Sequence, residues 1–340
     1  MKQWYASVNY GLEAIISDII RPYGAQNIKI LDSALIFFCE NEINIKCINN
    51  LFVVISSFYS GSIMEAVKKV SRLTFHFPRL NGNTFRVILM DCGKLRAIPQ
   101  NIMVQIERHI SFQSNLTVNR ANPDIEIWLN RRNDGTSYFM IRTRKRRPFE
   151  KSLRQGELRP DLVDVMIHKS GIDRQSIIVD PFGGWGAIAA AVAESGRYQR
   201  IYTGDLNDGC VRYQKLRLNK KRGCVVQKWD ARRLPLENMS VDSIITDPPW
   251  GEFIKIDAPR LYDEFISEAA RVLRPGGSLV FLTSAKYEAG QSLDKHRFIY
   301  SAAPLKINGK ETYLFIGKLQ AEKFLSQTAS AQTQNRPDQP

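Results

Sequence analysis

Residues 177–186 read Ile177-Ile178-Val179-Asp180-Pro181-Phe182-Gly183-Gly184-Trp185-Gly186, and an alanine-rich stretch of helical character follows at 187–193. Three apolar residues running into an acid predict a buried strand. The glycines let the backbone pass close to a ligand at the N-terminus of the next helix, where unpaired N–H groups point outward. Tight turns elsewhere look the same, so the surroundings decide. From Arg159-Pro160 onward, β-rich runs at 201–205, 225–228, 243–247 and 278–283 alternate with helical stretches, including one at 261–273. Alternation of this kind predicts an α/β fold with a doubly wound sheet, whose ligands lie outside the carboxyl ends of its strands. Arg274-Pro275-Gly276-Gly277 reads as a turn into the fifth strand, and runs at 298–301 and 313–317 predict an antiparallel edge.

Two further acids sit where strands end. Asp205 closes the second run, in Thr203-Gly204-Asp205-Leu206, where a carboxylate can accept from both ribose hydroxyls of a nucleoside cofactor. Asp230 closes the third, in Lys228-Trp229-Asp230-Ala231, placed to reach an adenine amino group. Capping the following helix is the plainer role for either residue; three acids ending three successive strands favour a ligand. The dinucleotide fingerprint G-x-G-x-x-G does not match this turn, and Asp180 would repel a pyrophosphate. It suits a cationic amino-acid moiety, which favours S-adenosylmethionine over a nicotinamide cofactor. Asp180, Phe182, Gly183, Gly184, Gly186, Asp205, Leu206, Asp230 and Ala231 are the candidate cofactor residues.

The fourth strand ends in Asp247-Pro248-Pro249-Trp250-Gly251. Prolines remove backbone donors and fix φ, so nearby carbonyls become acceptors with set directions. A carboxylate, such a carbonyl and an aromatic face make a pocket for a flat donor, an exocyclic NH₂. A hydrogen bond to a charged acceptor contributes about 1.5–3 kcal/mol, and stacking on Trp250 about 1–3 kcal/mol. Asp247, Pro248, Pro249 and Trp250 are the candidate catalytic residues, acting by orienting an amine for direct in-line attack. No cysteine neighbours the motif, which argues against thiolate chemistry on a pyrimidine carbon. Residues 252–259 are expected to shape the rim, and the four histidines read as structural.

The chain has 340 residues, with 48 Lys and Arg against 34 Asp and Glu, a net charge of +14. Such an excess points to a polyanion, nucleic acid first. Arg142, Arg144, Lys145, Arg146, Arg147, Lys151 and Arg154 crowd into one segment and are the candidate nucleic-acid contacts; Arg212, Lys215, Arg217, Lys220, Lys221 and Arg222 form an acid-free second cluster. No apolar run is long enough for a membrane span, and the N-terminus lacks a signal peptide's apolar core. Five scattered cysteines without a CxxC pair favour reduced thiols in the cytoplasm and offer no metal site. The glutamine-, serine- and proline-rich tail at 321–340 has little to bury and is expected to be disordered.

The first half reads as α+β. Extended runs are expected at 4–8, 28–31, 34–39, 51–56, 85–90, 116–119, 125–129 and 137–142, with helices after Gly11 and at 99–109. Three stretches resemble the THUMP-domain RNA methyltransferases that make N2-methylguanosine in tRNA. Tyr5-Ala6-Ser7-Val8-Asn9-Tyr10-Gly11-Leu12-Glu13 is similar to that family's opening strand and glycine-led helix. Asn122-Pro123-Asp124-Ile125-Glu126-Ile127 resembles a THUMP strand. Arg146-Arg147-Pro148-Phe149, followed by Gly156-Glu157-Leu158-Arg159-Pro160, resembles the linker into the catalytic domain.

The resemblance implies a ferredoxin-like module over 1–60, a THUMP-like RNA-binding domain over 61–150 and a class I S-adenosylmethionine-dependent methyltransferase domain over 151–320. It adds Pro160 to the cofactor residues and makes tRNA the expected partner; the sequence does not give the oligomeric state, and a monomer is favoured. The chain departs from the family at Gly183-Gly184-Trp185-Gly186-Ala187, where Cys-Gly-Ser-Gly-Thr is usual, and at Trp250, where Tyr is commoner. Two alternatives remain open: amino methylation of adenine or cytosine in DNA or another RNA, and a non-catalytic RNA-binding partner subunit.

Overall fold

The computed structural model describes residues 1–77, 82–145, 153–250, 257–307 and 309–321. Arg146, Arg147, Lys151, most of the expected rim loop and nearly all of the 321–340 tail lie outside them. The chain divides into two compact units, Met1–His168 and Lys169–Pro340.

In the first unit the strands are β1 (Lys2–Ser7), β2 (Gln26–Leu31), β3 (Ala34–Cys39), β4 (Asn50–Tyr59), β5 (Thr84–Asp91), β6 (Lys94–Leu95), β7 (Thr117–Val118), β8 (Ile125–Arg131) and β9 (Thr136–Lys145). They form one mixed sheet in the order β2-β3-β1-β4-β9-β8-β5-β6, with β7 beside β5. The helices are α1 (Glu13–Ile20), α2 (Ile63–Val70), α3 (Gln100–Ser114) and α4 (Pro160–Ser170), the last crossing the division between the units. Ser62 caps α2 by accepting the Glu65 amide at 3.1 Å, while Glu65 accepts the Gly61 amide at 2.7 Å. This reciprocal arrangement satisfies two donors that a helix start leaves over. Val67 and Val70 of α2 and Ile106 and Ile110 of α3 then bury against Phe85, Ile127 and Phe139 of the sheet.

In the second unit β10 (Ile177–Asp180), β11 (Arg200–Asp205), β12 (Cys224–Lys228), β13 (Val241–Thr246), β14 (Leu273–Thr283), β15 (Phe298–Ile307) and β16 (Lys310–Leu319) form a sheet ordered β12-β11-β10-β13-β14-β16-β15. The first five strands pair in parallel, and β14, β16 and β15 pair antiparallel, which is the expected edge. Helices α5 (Ala187–Ser195), α6 (Asp208–Arg217), α7 (Ala258–Val272) and α8 (Lys286–Lys295) connect them. Along α7, Tyr262, Phe265, Ile266, Ala269 and Val272 recur at helical spacing and are all buried. They pack with Phe281 and Phe315, whose rings stack at 5.1 Å.

Three local expectations change. Arg274-Pro275-Gly276-Gly277 is not a turn before β14 but lies within it. Pairing jumps from Val241 with Leu273 to Ser243 with Ser278, so the intervening residues bulge out around Gly276 at φ 79°. Asp247 and Asp230 stand just past β13 and β12, which end at Thr246 and Lys228. The run at 116–119 shrinks to the two residues of β7.

Candidate active site

β10 has β11 on one side and β13 on the other, so the order of strands reverses there, the place where open α/β sheets bind ligands beyond the carboxyl ends of their strands. Asp180 closes β10 with 1% of its surface exposed. The Thr246 hydroxyl donates to Asp180 Oδ1 at 2.8 Å and accepts the Phe182 amide at 3.2 Å. Oδ2 of Asp180 is buried without a hydrogen-bond partner. Burial pushes the carboxyl up to about 8; the Thr246 hydroxyl opposes this, and the nearby carboxylates of Asp247 and Asp205 add to it. Leaving a buried acceptor unpaired costs about 1–3 kcal/mol, a cost that a cationic ligand would remove.

The turn after Asp180 is held from below. A Cβ on Gly183 would lie 2.4 Å from Thr203 Oγ1 and 2.7 Å from Gln214 Nε2, so only glycine fits. Gln214, buried on α6, donates to the Gly184 carbonyl at 2.9 Å and accepts the Thr203 hydroxyl at 2.9 Å. Arg217 donates to the Trp185 carbonyl at 2.9 Å, and Trp229 to the Pro181 carbonyl at 3.0 Å. The Trp185 ring meets Tyr213 edge to face at 5.6 Å, which gives the departure from the usual Ser a packing role.

Asp205 does not cap α6. Asn207 does, accepting the Gly209 amide at 2.7 Å. Instead Asp205 accepts the Gly184 amide at 2.9 Å and the Asn207 amide at 2.9 Å, bracing the turn against β11. Leu206 beside it is 61% exposed. Asp230 caps no helix either; it accepts the Arg232 amide at 2.9 Å and that residue's guanidinium at 2.6 Å, which holds its carboxyl below the ordinary range. Ala231 is buried in the core, and Phe182 packs edge-on against Phe265 at 5.1 Å. These candidate cofactor residues all belong to the second unit, whereas Pro160 opens α4 in the first.

Beyond β13, the Trp250 indole donates to Asp247 Oδ1 at 3.0 Å. Pro248 is buried; Asp247, Pro249 and Trp250 are half-buried. Burial pushes the Asp247 carboxyl up to about 7, against the pull of the Trp250 indole. The candidate cofactor acid and the candidate catalytic acid thus stand at the ends of neighbouring strands, tied through Thr246.

The basic run looks different in three dimensions. Arg142 is ion-paired with Glu126 and lies over the Trp128 ring at 5.5 Å. Arg144 donates to Asn44 Oδ1 at 2.6 Å and to the Ile45 carbonyl at 3.0 Å. Both guanidiniums are engaged inside the first unit, Arg142 by Glu126 of the neighbouring strand β8 and Arg144 by the segment between β3 and β4. Arg154 is exposed. Arg146, Arg147, Lys151 and the side chain of Lys145 lie outside the described residues. In the second cluster, Arg212, Lys215, Lys220, Lys221 and Arg222 are exposed. Two histidines meet carboxylates, His296 with Asp263 at 3.1 Å and His168 with Asp164 at 4.0 Å. Among the described residues no cluster of ligands could hold a metal ion, and no helix is long and apolar enough to cross a membrane.

Sequence reasoning missed Thr246, Thr203, Gln214 and Trp229. Only Thr246 had a signal, since it directly precedes the Asp-Pro-Pro-Trp motif.

The α/β fold is that of the Rossmann-like methyltransferases. The crystal structure of TrmN from Thermus thermophilus superposes with a TM-score of 0.73 at 19% identity, over 94% of this chain and 100% of that one. Residues 144–303 match a family model described as RMKL-like, methyltransferase domain. A tRNA (guanine(6)-N2)-methyltransferase of Thermus thermophilus is 31% identical over 147 residues, 40% of this chain and 42% of the relative. A tRNA (guanine(10)-N2)-dimethyltransferase of Methanothermobacter thermautotrophicus is 30% identical over 148 residues, 42% of this chain and 43% of the relative. The chain thus spans less than half the length of these curated relatives.

Proposed function

We propose that this protein is an S-adenosylmethionine-dependent methyltransferase that modifies the exocyclic N2 amine of a guanosine in RNA, with tRNA as substrate. The observation that carries this reading is the pairing of Asp247 with Trp250 at 3.0 Å just past the end of β13, the strand beside that of Asp180. The names of the two guanine-N2 relatives point to the same base and atom. The residues fit the cofactor: Asp180 keeps a buried oxygen unpaired for a cation, and Gly183 has no room for a Cβ between turn and β11. Gly183, Gly184 and Gly186, with Phe182, Leu206 and Ala231, would line its site; Asp205 and Asp230 would hold the ribose and adenine, and Pro160 would complete it.

When bound, the cofactor supplies an electrophilic methyl on a sulfonium. The chain's own part is orientation. Trp250 fixes one Asp247 oxygen, leaving the other, with the Pro248 carbonyl, to accept the hydrogens of the guanine amine. That draws the nitrogen lone pair out of conjugation and aims it in line, and proximity supplies the rate. The Trp250 face offers a stack for the base, which offsets part of the few kcal/mol spent on extracting it. Residues 1–60 and 61–150 would act as ferredoxin-like and THUMP-like RNA-gripping modules, 151–320 as the catalytic domain and 321–340 as a disordered tail. Arg154 and the neighbouring cations at 145–147 and 151 would meet the RNA backbone. The protein would work as a monomer in the cytoplasm, where its cysteines stay reduced.

The test is incubation with labelled S-adenosylmethionine and unmodified tRNA, followed by digestion to nucleosides and mass spectrometry. N2-methylguanosine is expected. Its absence from a protein that binds both cofactor and tRNA defeats the guanine reading, and methylated adenosine or cytidine would redirect it to another amine.

A further inference from the structure

Asp180, 1% exposed, is the most buried carboxyl among the described residues of the second unit, and one hydroxyl holds it. Thr246 is itself fully buried, at the last position of β13. A threonine hydroxyl has one proton to give. Here its oxygen receives the Phe182 amide at 3.2 Å, so the proton is directed to Asp180 Oδ1 at 2.8 Å. Three backbone segments are therefore pinned at one atom: the carboxyl end of β10, the first residues of the glycine-rich turn and the carboxyl end of β13. The next residue along the chain is Asp247. Of the two Asp180 oxygens, Thr246 engages one and Oδ2 stays unpartnered.

We propose that Thr246 is a positioning residue: its hydroxyl orients Asp180 so that Oδ2 is presented to the cationic end of the cofactor, and it keeps Asp247 in step with that acid. The proposal rests on the cofactor reading given above and adds a residue to it. The charged groups that act on Asp180 are Asp247, following β13, and Asp205, ending β11; both are acids and both disfavour its ionised form. The Thr246 hydrogen bond works against burial and those two charges. Removing the hydroxyl while keeping the shape takes away a hydrogen bond that favours the ionised form, so the neutral form of Asp180 persists to higher pH. A cation needs the ionised form, so its binding weakens by up to tenfold for each unit that the midpoint moves up.

Three variants separate the hydroxyl from packing: Thr246→Val keeps the shape, Thr246→Ser keeps the hydroxyl and Thr246→Ala keeps neither. Two measurements apply to the full chain. The first follows the Asp180 carboxyl C=O band by infrared difference spectroscopy against pH without cofactor, with Asp180→Asn to assign it. The second is calorimetric binding of S-adenosylhomocysteine and S-adenosylmethionine between pH 6 and 9. The Val and Ala variants should protonate Asp180 at higher pH than the parent and bind more weakly at pH 7, by up to tenfold for each unit that the midpoint moves, with the deficit shrinking as pH rises; Ser should follow the parent. If Val does not fold, Ser against Ala makes the same comparison. A Val or Ala variant with the parent's carboxyl midpoint and binding profile overturns the proposal, as does a Ser variant as impaired as Ala. A parent protein that binds neither ligand sinks the cofactor reading instead, while the infrared band still reports on Thr246 and Asp180.

Discussion

The indole of Trp229 donates to the carbonyl of Pro181 at 3.0 Å, joining the segment after β12 to the start of the glycine-rich turn. The same ring lies 2.6 Å from where a Gly204 Cβ would be, so Trp229 is wedged between turn and β11. Replacing it by Phe keeps most of the wedge and leaves the Pro181 carbonyl unpaired. Loss of about 1–3 kcal/mol of stability is expected, with weaker cofactor binding because the turn loosens. Denaturant titration and calorimetry of S-adenosylhomocysteine check this; unchanged affinity in a destabilised protein would show that the turn holds its shape without the bond.

Asp180 and Asp247 both carry raised carboxyl midpoints, about 8 and about 7. Carboxyls that hold protons more tightly folded than unfolded stabilise the fold below about pH 4 and lose that contribution as pH rises to about 8. The cofactor-free protein should therefore melt at a lower temperature at pH 8 than at pH 6, with the slope reduced in Asp180→Asn. Cofactor binding should run the other way, strengthening from pH 6 to 8 and releasing a proton, measurable by calorimetry in buffers of different ionisation enthalpy. A flat affinity profile over that range would remove Asp180 from cation binding.

Trp250→Phe retains an aromatic face and removes the indole N–H that lowers the Asp247 midpoint. RNA affinity should be nearly kept, while the rise of kcat/KM with pH moves to higher pH. Trp250→Ala should instead weaken RNA binding by about 1–3 kcal/mol through loss of the stack. Asp247→Ala should abolish methyl transfer and leave RNA affinity in place. Gel-shift titrations beside initial rates from pH 6 to 9 separate the three outcomes.

Arg142 tests whether a basic residue in a basic run belongs to the ligand or to the fold. Its side chain is 11% exposed and that of its partner Glu126 10%. Glu126 keeps Arg86 at 2.5 Å when Arg142 is removed, so the loss should fall short of the 3–5 kcal/mol for breaking a buried pair, at about 1–3 kcal/mol. The salt dependence of RNA binding should not change for Arg142→Ala, whereas an exposed phosphate contact would flatten the log–log slope by about 0.7–0.9.

Much of the second unit was legible because its signals are local. Strand, acid and glycine turn lie within ten consecutive residues, and the Asp-Pro-Pro-Trp motif within four. What escaped depends on partners far along the chain. Gln214 matters through Gly184 and Thr203, and Trp229 through Pro181, none of which a helix or strand pattern reveals. Charge counting did not foresee the partners of Arg142 and Arg144 for the same reason, since a count does not show that Glu126 and Asn44 stand opposite. The helix α2 was overlooked although Ser62 and Glu65 have the spacing of a capping box; its eight residues are too short for periodicity to stand out.

One feature of the first unit reaches beyond the site. β4 pairs with β1 on one side and β9 on the other, Asn50 opposite Lys145 and Tyr59 opposite Thr136. The sheet therefore runs without a break across residue 60, where the resemblance placed a module boundary. A chain cut there would expose a ten-residue edge, Asn-Leu-Phe-Val-Val-Ile-Ser-Ser-Phe-Tyr, uncharged and strongly β-forming. Unpaired edges of that composition recruit other chains. During synthesis the same edge waits for β9 to emerge, and that delay makes β4 the point at which the growing protein most needs protection from its neighbours.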